Sequence, residues 1–358
     1  MQLIKRQITE SCRYDFTKKY QLEHLLFFDI ETTGLSADIS SLYLIGCVYY
    51  EHGNWQLIQW FADEYHEEQE LITAFFEFAG KFSYLLHYNG NGFDIPYLEK
   101  KCAQYDLPYT FENIQSIDLY KKFLPFKKVL NLSSIKQKKV EELFGLYRKD
   151  KYSGGELIKV YGEYMHGKIL HTDNSLLEEQ KNMLLLHNHE DLTGLLYVTP
   201  ILAFHDLVEQ SPQILGCYPG ELLQNGDLSD PSTPNELVVR KGFLLIDFIP
   251  PSPLPIDFTV EKEGFYLQCE KTKGSLTIST INNQFKLYFK NYKDYYYLPV
   301  EDIAVHKSVA ASVDKDYRQK ATKENCYTKV TITEALITDT AQLAQVFQKL
   351  LSYYFELK

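Results

Sequence analysis

The segment FFDIET sets Asp29 and Glu31 two positions apart within an apolar stretch. Side chains at i and i+2 of a β-strand leave the same face, so the two carboxylates would stand side by side. Such a pair suits a hard divalent cation, which takes oxygen ligands and relieves the repulsion between like charges. An ordinary solvent-facing strand also carries this spacing, but the apolar neighbours argue for burial, where an unpaired carboxylate is costly. Asp94 follows the turn NGNG, where a helix should begin, and fits either an N-cap or a further ligand. Asp191 and His187 lie four apart in a helical pattern and share a face. That spacing fits the polar side of a surface helix. Leu184, Leu185, Leu186, Leu192, Leu195 and Leu196 surround the pair, however, and a His beside a carboxylate in apolar surroundings is a candidate general base.

Elements that would position these residues are readable in the hydrophobic pattern. LLFFDIET reads as a strand, and SLYLIGCVYYEHGNWQLIQWFA as two more, turned at His52-Gly53-Asn54. EEQELITAFFEFAGK has helical spacing and ends at Gly80. FSYLLHY reads as a strand and DIPYLEKKCAQY as a helix with Pro96 near its first turn. LLEEQKNMLLLHNHEDLTGLLYV, followed by Pro200, predicts one kinked helix or two. This alternation predicts an α/β domain over 25–208, preceded by an N-terminal extension, 1–24. Residues 209–236 are rich in Pro, Gly, Ser and Asp and read as a linker or irregular connection. Over 237–358, alternating runs around Gly and Asn turns predict a smaller, mainly antiparallel β domain, closed by a helix from roughly Thr333 to Phe355. The residues assign that domain no role.

The bulk numbers constrain function. With 45% hydrophobic and 24% charged residues, the 358-residue chain reads as folded. The runs LLFF and GFLLI are too short to span a bilayer, and the N-terminus lacks a signal-peptide core, which together predict a cytoplasmic protein without membrane contact. The six cysteines are scattered without a CxxC pair, so neither a zinc site nor a disulfide framework is expected. A net charge of −11 excludes a protein that coats nucleic acid through its overall field. Basic residues concentrate between Lys121 and Lys151, including Lys136, Lys138, Lys139 and Arg148. They read either as a solvated face or as a rail for a phosphate backbone.

FDIETTGL, NGNGFD and HNHEDL follow one another in the order of the three motifs of the DEDD (DnaQ-like) 3′-5′ exonucleases. The chain resembles that superfamily over roughly 25–207, and most resembles its YprB-type (MrfB-like) bacterial branch. NLSSIKQKKVEELFGLYRKDKYSGGELIKVYGEY is similar to that branch between the second and third motifs. The resemblance implies a ribonuclease-H-like mixed sheet flanked by helices, and two divalent cations, Mg2+ or Mn2+. It implies that Asp29, Glu31 and Asp191 hold one cation, that Asp29 shares the second, and that Asp94 completes the set. It further implies that Thr32, Thr33, Leu35 and Asn89 meet the terminal nucleotide of a single-stranded 3′ end. His187 is implied as the base, four residues before Asp191 as in the Tyr subtype, with His189 as the alternative. The expected activity is release of nucleoside 5′-monophosphates, with DNA favoured and a link to DNA repair. The alternatives are an RNA-trimming or oligonucleotide-degrading nuclease and a catalytically inactive nucleic-acid-binding module.

Overall fold

A computed structural model describes residues 1–171, 173–221 and 241–355. The chain forms two compact units: Met1–Lys127 with Leu132–Leu202, and Lys128–Asn131 with the described residues from Ala203 onward.

In the first unit the elements run β1 (Gln2–Gln7), β2 (Leu25–Thr32), β3 (Leu42–Glu51), β4 (Asn54–Phe61), α1 (Glu68–Ala79), β5 (Tyr84–His87), α2 (Asp94–Gln104), β6 (Gln115–Asp118), α3 (Leu119–Phe123), α4 (Gln137–Leu143), α5 (Gly154–Ile169) and α6 (Asn174–Val198). The strands form one six-stranded sheet in the order β1-β4-β3-β2-β5-β6. The β2-β3-β4 meander is antiparallel, with His52 and Gly53 at positive φ in its tight turn. β5 runs parallel to β2, and β6 parallel to β5. One face of β2 carries Leu26, Phe28 and Ile30 into the core, where Phe28 stacks on Phe75 of α1 at 5.7 Å. Burying each such side chain stabilises the fold by roughly 1.5–3 kcal/mol. The alternate residues Asp29 and Glu31 leave the opposite face, toward α6.

One expectation needs correction here, and one strand was not foreseen. Residues 1–24 are not an extension: β1 pairs with β4 along its whole length, Leu3 opposite Trp60, and Phe16 is buried. The polar run QSID was not expected to be a strand, yet it forms β6 at the sheet edge.

The α6 pattern ends at Val198, and α7 (Ile201–Glu209) follows. Pro200 lacks the N–H needed to continue the ladder. Asn174–Glu209 is long and apolar enough to cross a bilayer, contrary to the reading from short runs, but 89% of its most apolar window is buried inside the protein.

In the second unit follow β7 (Gln213–Glu221), β8 (Lys241–Ile249), β9 (Phe258–Lys262), β10 (Phe265–Cys269), β11 (Gly274–Ile281), β12 (Gln284–Tyr288), β13 (Tyr295–Leu298), β14 (Ile303–His306), α8 (Lys307–Ala310), β15 (Gln319–Lys320), β16 (Tyr327–Thr331), α9 (Glu334–Thr338) and α10 (Thr340–Tyr354). A seven-stranded sheet contains β16-β12-β11-β10-β9, with β8 joining β11 to β7, and β14-β13-β15 form a small second sheet. The pairings are antiparallel, as the alternating pattern predicts. The expected 209–236 connection is corrected in its first part, where 213–221 is β7, paired with β8. Residues 222–236 lie outside the described residues. The closing helix is broken at Asp339, whose carboxylate caps α10 through Ala341 N and Gln342 N.

Candidate metal and catalytic site

Four carboxylates from three elements converge on the α6 side of β2. Asp29 and Glu31 project from β2, Asp94 is the first residue of α2, and Asp191 comes from α6. Asp94 does not cap its own helix. Its Oδ1 accepts from Ile30 N at 3.3 Å, which ties α2 to the strand between the two acidic residues. Burial, then repulsion from Asp191, Glu31 and Asp94, pushes the Asp29 carboxyl well above the ordinary carboxylate range. Glu31 is pushed up by burial, then by Asp191, Asp94 and Asp150. Burial raises Asp94 to about 7, against backbone hydrogen bonds that favour its charge. So much like charge in one buried cluster calls for a counter-charge.

Two glycines let helices approach closely enough to complete the site. Gly46 of β3 pairs with Asp29, and a Cβ there would overlap Asn188 Oδ1 and Leu192. With no side chain in the way, Asn188 Nδ2 donates to Asp29 Oδ2 at 2.9 Å while its Oδ1 accepts from Gln59. Gly194 plays the same part on the far side of α6, where a Cβ would overlap the Glu141 carboxylate of α4.

His187 is buried, with Nε2 at 3.1 Å from Asp191 Oδ2 and 3.7 Å from Glu31 Oε1. Ligating atoms of Glu31, His187 and Asp191 all lie within 4.8 Å of one another. His189 shares α6, but its charged neighbours are Arg6, Glu10 and Glu190, and burial lowers its pKa. The structure thus brings His187, not His189, to the carboxylates.

Other expected residues are placed differently. The Arg148 side chain is 5% exposed and not on a surface rail: it pairs with Glu141 through two nitrogens and donates from Nη1 to Asp191 Oδ1 at 2.7 Å. Burial opposes its charge, and the Glu141 and Asp191 carboxylates more than offset that, raising its pKa. Lys138 donates to Asp150 and to the Tyr152 carbonyl, and Lys139 pairs with Glu142 one turn on. Lys136 is exposed before α4. Thr32 Oγ1 donates to the Gly34 carbonyl, and Thr33 Oγ1 accepts from Ser41 N, so both hydroxyls brace the loop after β2. Leu35 on that loop is 87% exposed. Asn89 is exposed at φ +63° and donates its N–H to Asp118 Oδ1.

Five contributors were missed in the sequence: Asp118, Asp150, Glu141, Asn188 and Gln59. Asn188 lies inside the HNHEDL motif and Glu141 in the stretch between the second and third motifs, but their partners are 159 and 7 residues away, and nothing local signals the longer contact. Asp118, from the unexpected strand β6, is buried, leaves Oδ2 without a hydrogen-bond partner, and adds to the charge acting on Asp94.

The donor set fits hard divalent cations: it is mostly carboxylate oxygen, and burial holds the Asp29, Glu31 and Asp94 carboxyls at raised pKa until a cation or proton compensates them. Asp29, Glu31, Asp94 and Asp191 would hold such ions.

Residues 26–202 match the family described as RNase_H_2, of the RNase_H superfamily. That segment has the ribonuclease-H-like mixed sheet with flanking helices, and the antiparallel sheets follow it. No curated protein matches the chain. Among solved structures, the family B DNA polymerase of Pyrobaculum calidifontis is similar at 17% identity and a TM-score of 0.38, over 50% of this chain and 24% of the polymerase. This chain therefore spans about a quarter of the polymerase's length. The zinc-bound complex of E. coli ExoI with single-stranded DNA is similar at 11% identity and a TM-score of 0.28, over 93% of this chain and 74% of ExoI. A product-bound exonuclease I is similar at 11% identity and a TM-score of 0.25, over 94% and 72%.

Proposed function

We propose that the protein is a metal-dependent 3′-5′ exonuclease that hydrolyses nucleic-acid phosphodiesters to nucleoside 5′-monophosphates. The observation that carries this reading is the convergence of Asp29, Glu31, Asp94 and Asp191 with His187 on one face of a ribonuclease-H-like sheet. The four carboxylates would hold divalent cations, which would supply an activated water and offset charge on the leaving oxygen. Asn188 and Arg148 hold Asp29 and Asp191 in place. His187 takes the proton of the attacking water at Nε2, the nitrogen that faces the cluster. The exposed Leu35 and Asn89 lie in loops flanking Glu31 and Asp94 in sequence, which supports a contact with the terminal nucleotide. DNA is the favoured substrate and DNA repair the favoured setting, on the resemblance to the YprB-type branch.

A second reading, a binding module without turnover, has one observation in its favour: Arg148 already neutralises Asp191, as a cation would. Both readings meet one test. Single-stranded DNA, duplex DNA and RNA, each end-labelled, are incubated with Mg2+, Mn2+ or a chelator. Metal-dependent shortening from the 3′ end supports the exonuclease. Binding without shortening, with either metal, selects the second reading, and shortening of RNA alone removes the DNA assignment.

A further inference from the structure

We propose that Asp150 is a positioning residue that holds His187 through Nδ1 and so presents Nε2 to the carboxylate cluster. The inference rests on the reading of His187 as the proton acceptor. Asp150 Oδ2 lies 2.6 Å from His187 Nδ1, and the Asp150 side chain is 2% exposed. Its other partners are donors: Lys138 Nζ at 3.0 Å on the same oxygen, and Tyr152 N at 3.0 Å on Oδ1. Burial alone would favour the protonated acid, but the hydrogen bonds from Tyr152, His187 and Lys138 keep its pKa below the ordinary value. An ionised carboxylate only accepts, so Nδ1 must carry the proton. In a neutral imidazole this leaves the Nε2 lone pair directed at Asp191 and Glu31.

The segment that carries Asp150 is tied to the helix that carries His187. The N–H groups of Lys149 and Asp150 both donate to Glu190, three residues beyond His187 on α6, at 3.0 and 2.8 Å. Carboxylate and imidazole are thus held from one element. When Nε2 takes a proton from water, the product is an imidazolium beside an ionised carboxylate. Asp150 itself takes no proton, and Lys138 balances its charge.

Asp150→Asn is the informative change. The amide is nearly isosteric, but its NH2 can donate to Nδ1 and so favour the Nε2–H tautomer, which has no lone pair to offer the cluster. Nitrogen-15 NMR of histidine-labelled, metal-free protein is taken at a pH high enough for the ring to be neutral, because the Asp191 carboxylate beside Nε2 favours a second proton there. It should show His187 as the Nδ1–H tautomer in the wild type and a change of tautomer in Asp150→Asn. With substrate and metal, Asp150→Asn should lower kcat by roughly 10- to 100-fold with KM nearly kept, the usual range for outer partners of a working imidazole. In the His187→Ala background the same change should cost less than about twofold, because coupled sites are not additive. Equal losses in both backgrounds, or an unchanged tautomer, would overturn the positioning role. The NMR result stands without turnover: a tautomer shift in a protein that cleaves nothing sinks the exonuclease reading and leaves the contact. Should Asp150→Asn fail to fold, Lys138→Met tests the same carboxylate. It removes one donor that holds the carboxylate while Nδ1 keeps its acceptor, so it should lower kcat less than Asp150→Asn and lose that effect in the His187→Ala background, and an undiminished effect there counts against the proposal.

Discussion

At the scale of single residues, the site is a set of carboxylates held at unfavourable charge. Asp29 lies among Glu31, Asp94 and Asp191 with one hydrogen bond from Asn188. Asp29→Asn should therefore abolish hydrolysis while leaving the metal-free protein at least as heat-stable as the wild type, because it removes one buried like charge. It should also lose the rise in Tm that Mn2+ gives the wild type. A variant that keeps wild-type turnover would show the site to be misplaced. The raised carboxyls have a second consequence. Their folded pKa values exceed the unfolded ones, so their stabilisation is complete below the ordinary carboxylate value near 4 and is lost as pH rises through about 7, the value for Asp94. Between about pH 5 and about pH 7.5 the chelated wild type should thus lose stability relative to Asp94→Asn, which lacks this ionisation. Added Mg2+ should restore more at the higher pH, since binding requires the deprotonated ligands. Urea unfolding of both proteins at the two pH values checks the sign, and a gap that does not widen with pH would contradict it.

At the scale of elements, the close approach of α6 to the sheet assembles the cluster. Gly46 permits it at the strand position opposite Asp29. Gly46→Ala should lower stability by about 1–3 kcal/mol, as overpacking does. It should also weaken activity more than its stability loss explains, because Asn188, His187 and Asp191 shift together. Urea unfolding and turnover at a temperature where the variant is folded measure the two effects, and unchanged turnover would free the site from that contact. The α4 region behaves differently from the sequence expectation. Arg148 is turned inward to Glu141 and Asp191, and Lys138 is held by the buried Asp150. This leaves Lys136 and Lys139, the latter 58% exposed and paired among the described residues only with the exposed Glu142, as candidates for a backbone contact. Reversal of both, Lys136→Glu with Lys139→Glu, should weaken binding of all single-stranded sequences alike. It should flatten the log-log salt slope by about 0.7 per lost phosphate contact. An unchanged slope returns both lysines to a solvated face.

At the scale of the whole molecule, a net charge of −11 means that, on the proposed reading, a nucleic-acid substrate would be gripped locally at one of its ends. If the terminal hydroxyl is received beside Glu31 and Thr32, a 3′-phosphate should block degradation, while a 5′-phosphate should have little effect. Ladders from singly labelled strands distinguish the two, and degradation that begins at the 5′ end would reverse the proposed polarity.

The sequence by itself determined the elements with strong periodicity: the β2-β3-β4 meander, α1, α2 and the antiparallel strands β8 to β12. It also determined that Asp29 and Glu31 share a face, because strand alternation is a local rule. His187 and Asp191 are one helical turn apart for the same kind of reason. Tertiary structure decided what those faces meet. β1 and β6 are polar edge strands whose place comes from pairing with a formed sheet, which no local pattern signals. The break at Asp339 and the assignment of 213–221 to a strand were settled by capping and by a ladder partner in the same way. Arg148 read as one more surface cation until folding set it against Glu141 and Asp191, where desolvation makes an unpaired charge costly and a paired one permanent. Asp150 lay within the stretch that resembles the YprB-type branch, but nothing local gave it a role. Its partner is 37 residues away, and only the packing of its segment on α6 turns an ordinary aspartate into the neighbour of His187.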